Sequence, residues 1–74
     1  MAPDPQVLLD LFKVEMPYGK YKGRKIADIP AYYLEWMSSK GFSNDRLGML
    51  LATMFEIKTN GLEKLLDPIR KGQR

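Results

Sequence analysis

A small α+β domain, about four helical segments around one short β-hairpin, is the fold this sequence predicts. Three observations predict it. Apolar residues recur at helical spacing in four stretches, each bounded by proline, glycine or a capping side chain. Between the first two stretches, Tyr18–Lys25 abandons that spacing and alternates around two glycines. The whole chain is 74 residues long, enough for a single domain spanning 1–74 and no more.

The first helix is predicted to start at Asp4, whose carboxylate can accept from free backbone N–H groups, with Pro5 at the first helical position. Val7, Leu8, Leu11 and Phe12 form its apolar face, and Pro17 closes the segment. Residues 17–29 read as the hairpin. Lys22-Gly23 suits a tight turn, with Gly23 at positive φ. A lone hairpin is marginal in water, so this one is expected to lean on the helices.

Pro30 opens the second helix, with Asp28 just upstream. Tyr33, Leu34 and Met37 share its inner face and Tyr32 and Trp36 flank it. Trp36 beside Met37 is expected in the core; exposed, it would mark a protein interface. Gly41 ends the helix and Phe42 folds back on it. Ser43 is the predicted cap of helix three, with Asn44-Asp45 in its first turn and its end near Thr59. Leu47, Leu50, Leu51, Met54 and Ile57 form its core stripe. Gly48, Met49, Ala52 and Phe55 widen the apolar surface, as in a helix central to the fold or partly in a subunit interface. Asn60-Gly61 interrupts the chain, and Leu62, Leu65, Leu66 and Ile69 supply the last apolar face. Asp67-Pro68 repeats the pattern of Asp4-Pro5, which splits the final helix into two short pieces. Residues 1–3 and 71–74 are expected to fray.

Composition narrows the chemistry. With no cysteine and no histidine, neither a disulfide framework nor a zinc site is possible, and the nine acids sit singly along the chain. No metal or other cofactor is expected. Nucleophilic catalysis lacks its usual base, and the carboxylates all read as helix-end charges or solvated faces, so the expectation is that the chain is not an enzyme. Gly19-Lys20 and Gly23-Arg24 lack the spacing of a phosphate-binding P-loop. The opening Met-Ala-Pro-Asp-Pro has no signal-peptide pattern, no apolar run reaches membrane-spanning length, and the default reading is cytoplasmic.

Charge placement is more telling than the net +3. Lys20, Lys22, Arg24 and Lys25 crowd four cations into six residues without an acid, and Arg70, Lys71 and Arg74 form a second basic group. Cations on a turn can neutralise phosphates, Gly23 lets the backbone approach a ligand, and Tyr18 and Tyr21 could stack on unpaired bases. Tyr21 is the favoured stacking residue. The plainer readings are tyrosines that pack the hairpin onto the helices, glycines that serve turn geometry, and cations that keep an edge soluble.

Met16-Pro17-Tyr18-Gly19-Lys20-Tyr21-Lys22-Gly23, then Asp28-Ile29-Pro30, Tyr33-Leu34 and Trp36, resembles the motif M-P-F-G-K-Y-K-G…D-x-P-x-x-Y-L-x-W. That motif marks a family of short bacterial proteins of unknown function labelled "putative quorum-sensing-regulated virulence factor". A similar block forms the C-terminal module of X-type exodeoxyribonucleases. The resemblance to the short family extends through Gly41-Phe42 and Asn60-Gly61-Leu62 to Asp67-Pro68, covering about Met16 to Arg70, with Tyr18 in place of the usual phenylalanine. The exonuclease's catalytic half has no counterpart here, so the resemblance implies nucleic-acid contact without nuclease activity.

Together these readings predict a non-catalytic module that binds single- or double-stranded nucleic acid through Lys20, Tyr21, Lys22, Gly23, Arg24 and Lys25, with Tyr18, Arg70 and Lys71 as secondary contacts. The alternative is a protein-interaction or regulatory adaptor that uses the apolar surface of helix three or the Tyr32–Trp36 side of helix two. A monomer or weak dimer is expected, since no second long amphipathic helix offers a coiled interface.

Overall fold

The computed structural model describes residues 4–72. Four α-helices follow one another: α1 (Pro5–Asp10), α2 (Ala31–Lys40), α3 (Arg46–Thr59) and α4 (Asp67–Gly72). Single 3-10 turns at Ile26–Asp28 and Glu63–Leu66 lead toward α2 and α4. Residues 1–3, 73 and 74, where fraying was expected, lie outside the described residues, whereas Lys71 sits in α4.

The predicted α+β class is wrong: among the described residues the fold is all-α, with no strand, sheet or hairpin. A single antiparallel bridge joins Glu15 and Lys25. It is framed by Met16 N–H donating to the Arg24 carbonyl (2.8 Å) and Ile26 N–H donating to the Val14 carbonyl (3.1 Å). The ladder stops there for local reasons. Beyond Met16 comes Pro17, which has no N–H to donate. Arg24 N–H turns back to the Tyr21 carbonyl (3.0 Å), leaving Gly23 N–H to reach Met16 (2.8 Å). On the other side Val14 N–H goes to Asp10 and the Ile26 carbonyl accepts from Ile29. Gly23 does have the predicted positive φ (86°), and so does Gly19 (82°). The turn was therefore read correctly while the strands were not.

Helix ends follow the sequence closely. Asp4 caps α1 by accepting from Gln6 N–H (2.8 Å). Gly41 ends α2 at φ 88°, as expected, whereas Phe42 meets α3 rather than α2, its ring 6.1 Å from that of Phe55. The cap of α3 is Asp45, two residues beyond the predicted Ser43. Asp45 accepts from Gly48 N–H (2.9 Å), and the Ser43 hydroxyl donates to the same carboxylate (2.6 Å). The charged acceptor wins the N–H and the hydroxyl serves as its support.

The core is entirely apolar among the described residues. Val7, Leu11 and Phe12 from the first segment meet Met16, Ile26, Ala27 and Ile29. Leu34 of α2 and Leu50, Leu51, Met54 and Ile57 of α3 complete it, with Leu66 as a lid. Helix α3 is central, as its wide apolar surface predicted; Leu47 and Phe55 pack against the core and Met49 reaches solvent. An Arg46–Asp10 ion pair ties α3 to α1, and Arg70 binds Asp28 (3.1 Å) while lying over the Phe12 ring.

Candidate functional site

The loop between Met16 and Ile26 is ordered by its ends and its middle. Met16 and Ile26 are buried, and the Lys22 N–H donates to the Gly19 carbonyl (3.2 Å) to close the turn. From that turn the Tyr21 ring reaches α2 and meets Tyr33 edge-on, with centroids 4.9 Å apart. Gly19 presses on the same tyrosine: a Cβ there would lie 2.8 Å from the Tyr33 hydroxyl. Glycine is thus favoured at 19 by its φ of 82°, and a Cβ there would also push the Tyr33 hydroxyl aside.

An aromatic cluster results from this docking. Tyr21 meets Tyr32 edge-on at 6.4 Å, their hydroxyls are hydrogen-bonded, and Tyr33 lies against Trp36 at 5.5 Å. Cations ring the cluster. The Lys20 ammonium donates to the Tyr32 hydroxyl (3.1 Å) and stands over both the Tyr21 and Tyr32 rings. The Arg24 guanidinium lies over Tyr21 at 5.2 Å, and the Lys40 ammonium lies over Trp36 at the same distance. The electrostatics follow the hydrogen bonds. Tyr32 is pulled below its ordinary pKa, first by the Tyr21 hydroxyl and then by Lys20, while Tyr21 is pushed up by the same Tyr32 bond. Lys20 is raised by its bond to Tyr32, so it stays a firm cation.

Gly23 and Lys71 are exposed, in the loop turn and in α4, and the other predicted site residues divide into three groups. Lys20, Tyr21 and Arg24 are brought together on the α2 aromatics. Lys22 and Tyr18 are exposed, and Lys22 forms no ion pair among the described residues. Lys25 is committed to Glu15 (3.1 Å) and Arg70 to Asp28, so both have acidic partners within the fold. Tyr21, the favoured stacking residue, is half-buried with its faces engaged. Sequence reasoning put Trp36 in the core, yet it is 53% exposed, as Tyr32 is 55% exposed. Lys40 was missed altogether. A helical projection centred on Leu34 would have put Trp36 outward, beside the Tyr32 already named with it as an alternative surface, because both fall opposite the one buried residue of α2.

The described residues thus form a small all-α domain with a basic, aromatic surface. The chain belongs to the family described as "putative quorum-sensing-regulated virulence factor", whose profile matches residues 4–69. It is similar to the uncharacterized protein YpeB of Escherichia coli strain K12, with 38% identity over 69 residues, 92% of this chain and 96% of that protein. The YpeB of Escherichia coli O157:H7 matches equally well. No solved structure matches the chain significantly. The family match takes in α1, ahead of the Met16 where the motif begins. These comparisons do not show the resemblance to the exonuclease module.

Proposed function

We propose that this domain is a non-catalytic module that binds nucleic acid on the surface shared by the 17–25 loop and α2. One observation carries the reading: Lys20 and Arg24 are held over tyrosine rings beside the exposed Lys22, so cations and aromatic groups share one surface. That combination suits a ligand with phosphates and ring faces together. The motif likeness to an exonuclease module points the same way.

Salt dependence tests it. Lys20, Lys22 and Arg24 contribute three contacts of roughly 0.7 each on a single strand, so log K against log salt should slope at about −2. Replacing the three with glutamine flattens that slope, whereas Lys25→Gln changes it little because Glu15 already pairs with Lys25. Titration with single- and double-stranded oligonucleotides at two salt concentrations decides, and salt-insensitive or absent binding sinks the proposal. The exposed Trp36 and Tyr32 favour a second reading, a protein adaptor, which would show as a partner lost on Trp36→Ala with no oligonucleotide binding at all.

A further inference from the structure

The outward face of α2 carries more information than its aromatic content. At about 100° per residue, Tyr32 and Trp36 lie roughly 40° apart and on the far side of the helix from Leu34. Leu34 is fully buried, so the two rings point away from the core. Each is more than half exposed, on a helix whose fully buried position is Leu34. Tyr33 and Tyr21 prop them from below through ring contacts, which limits their motion. Cations stand at both ends of the pair, Lys20 at Tyr32 and Lys40 at Trp36. Glu35, exposed on the same helix, falls about 60° to the other side of Tyr32 and gives the face one acidic margin.

We infer that Tyr32 and Trp36 form a two-base stacking strip for an unpaired strand, with Lys20 and Lys40 taking the phosphates on either side. The inference rests on the nucleic-acid reading above and specifies its ligand. Four residues of helix rise about 6 Å, whereas successive stacked bases of a duplex strand rise only about 3.4 Å along its axis. A strand that puts one base on each ring is therefore stretched, with the two bases parted from each other. Duplex bases, stacked and paired, do not offer their faces. Lys20 and Lys40 now rest over the rings as exposed cation–π partners. Both are long, flexible side chains, and each exchanges a ring for a phosphate when a base takes its place. The margin at Glu35 keeps the backbone on the lysine side.

Trp36 is the only tryptophan of the chain, so its emission reports on the strip directly. Short oligothymidylates of increasing length, and a duplex, are titrated into the full-length protein at low salt. Single strands of two or more nucleotides should quench Trp36, and the duplex should leave it nearly unchanged. Read by the anisotropy of a labelled oligothymidylate, because Trp36 variants lose the emission, Tyr32→Ala and Trp36→Ala should each weaken single-strand binding about tenfold with the salt slope kept, since stacking is not ionic. Trp36→Phe should retain most of the affinity, and Glu35→Gln should raise it about twofold. Circular dichroism melts confirm that the variants are folded. Salt-dependent binding without Trp36 quenching, or equal quenching by duplex, overturns the strip while leaving the phosphate-binding loop standing. Absence of any binding overturns both.

Discussion

Helices α2 and α3 are neighbours of similar apolar content put to opposite uses. α3 buries Gly48, Leu50, Leu51, Met54 and Ile57, and spends its length filling the core. α2 buries one residue, Leu34, and carries two of its three aromatic side chains, Tyr32 and Trp36, into solvent. The difference shows that residue type does not place a side chain; the angle around the helix relative to the buried contact does. Aromatic residues on α3, such as Phe55, pack because they flank the core line, and Tyr33 on α2 packs for the same reason. Trp36 has no such neighbour on its own side except Tyr33.

The sharpest way to break this comparison is to truncate one side chain from each helix. Leu50→Ala opens a cavity in the centre of the core and should cost about 2–5 kcal/mol in urea unfolding. Trp36→Ala removes a larger side chain, yet it should cost clearly less, about 1 kcal/mol, because the ring is more than half exposed and loses its contacts with Tyr33 and Lys40 rather than a core position. Equal losses would mean that α2 holds Trp36 in the fold after all.

A second contrast lies in the glycines. Helix propensity alone says that Gly48→Ala in α3 gains about 1 kcal/mol. A Cβ at Gly48 would instead lie 1.8 Å from the Ser43 carbonyl oxygen, a backbone atom that cannot swing aside. The substitution should destabilise by about 1–3 kcal/mol and disturb the Asp45 cap, and a gain in melting temperature would refute the contact. Gly23→Val meets nothing within 4 Å, so only its φ of 86° resists. Its cost should be smaller, about 1–2 kcal/mol.

Those glycines mark where the sequence was legible. Positive φ at Gly23 and Gly41, the Asp4 cap, the split after Asn60-Gly61 and the α3 core all follow from local chemistry and helical period. The hairpin did not, because alternation and a turn glycine are also what an irregular docked loop uses. What decides between them is whether competing N–H groups find local acceptors, as Arg24 and Val14 do. The cation cluster was visible as composition. Its division into Lys20 and Arg24 on rings and Lys25 on Glu15 depends on how the loop docks, which no spacing in the loop records.

The smallest expected effect is on acid stability, and it too separates the helices. Asp10 is held below the ordinary 3.8 by the Arg46 guanidinium and then by the Gln6 amide. Asp45 is held below 3.8 by the Ser43 hydroxyl and the Gly48 N–H. Both carboxylates anchor the N-terminal end of α3, and α2 has no counterpart. A depressed folded pKa means the contribution is fully present above the unfolded value and is lost as pH falls through the folded one. With no histidine, no side chain of ordinary pKa changes charge between about pH 5 and 8. The urea midpoint should therefore be flat across that range and decline below about pH 4. Asp45 is exposed and the Arg46 partner of Asp10 is half-exposed, so water and salt screen both contributions and the decline is shallow. Arg46→Gln should remove the larger share of the Asp10 part of the acid limb, leaving that of Gln6, and Asp45→Asn should remove the other part. Trp36 emission, reporting from α2, should change less with acid than amide exchange at Gly48 does. An acid limb unchanged in the double variant would show that these carboxylates do not anchor α3.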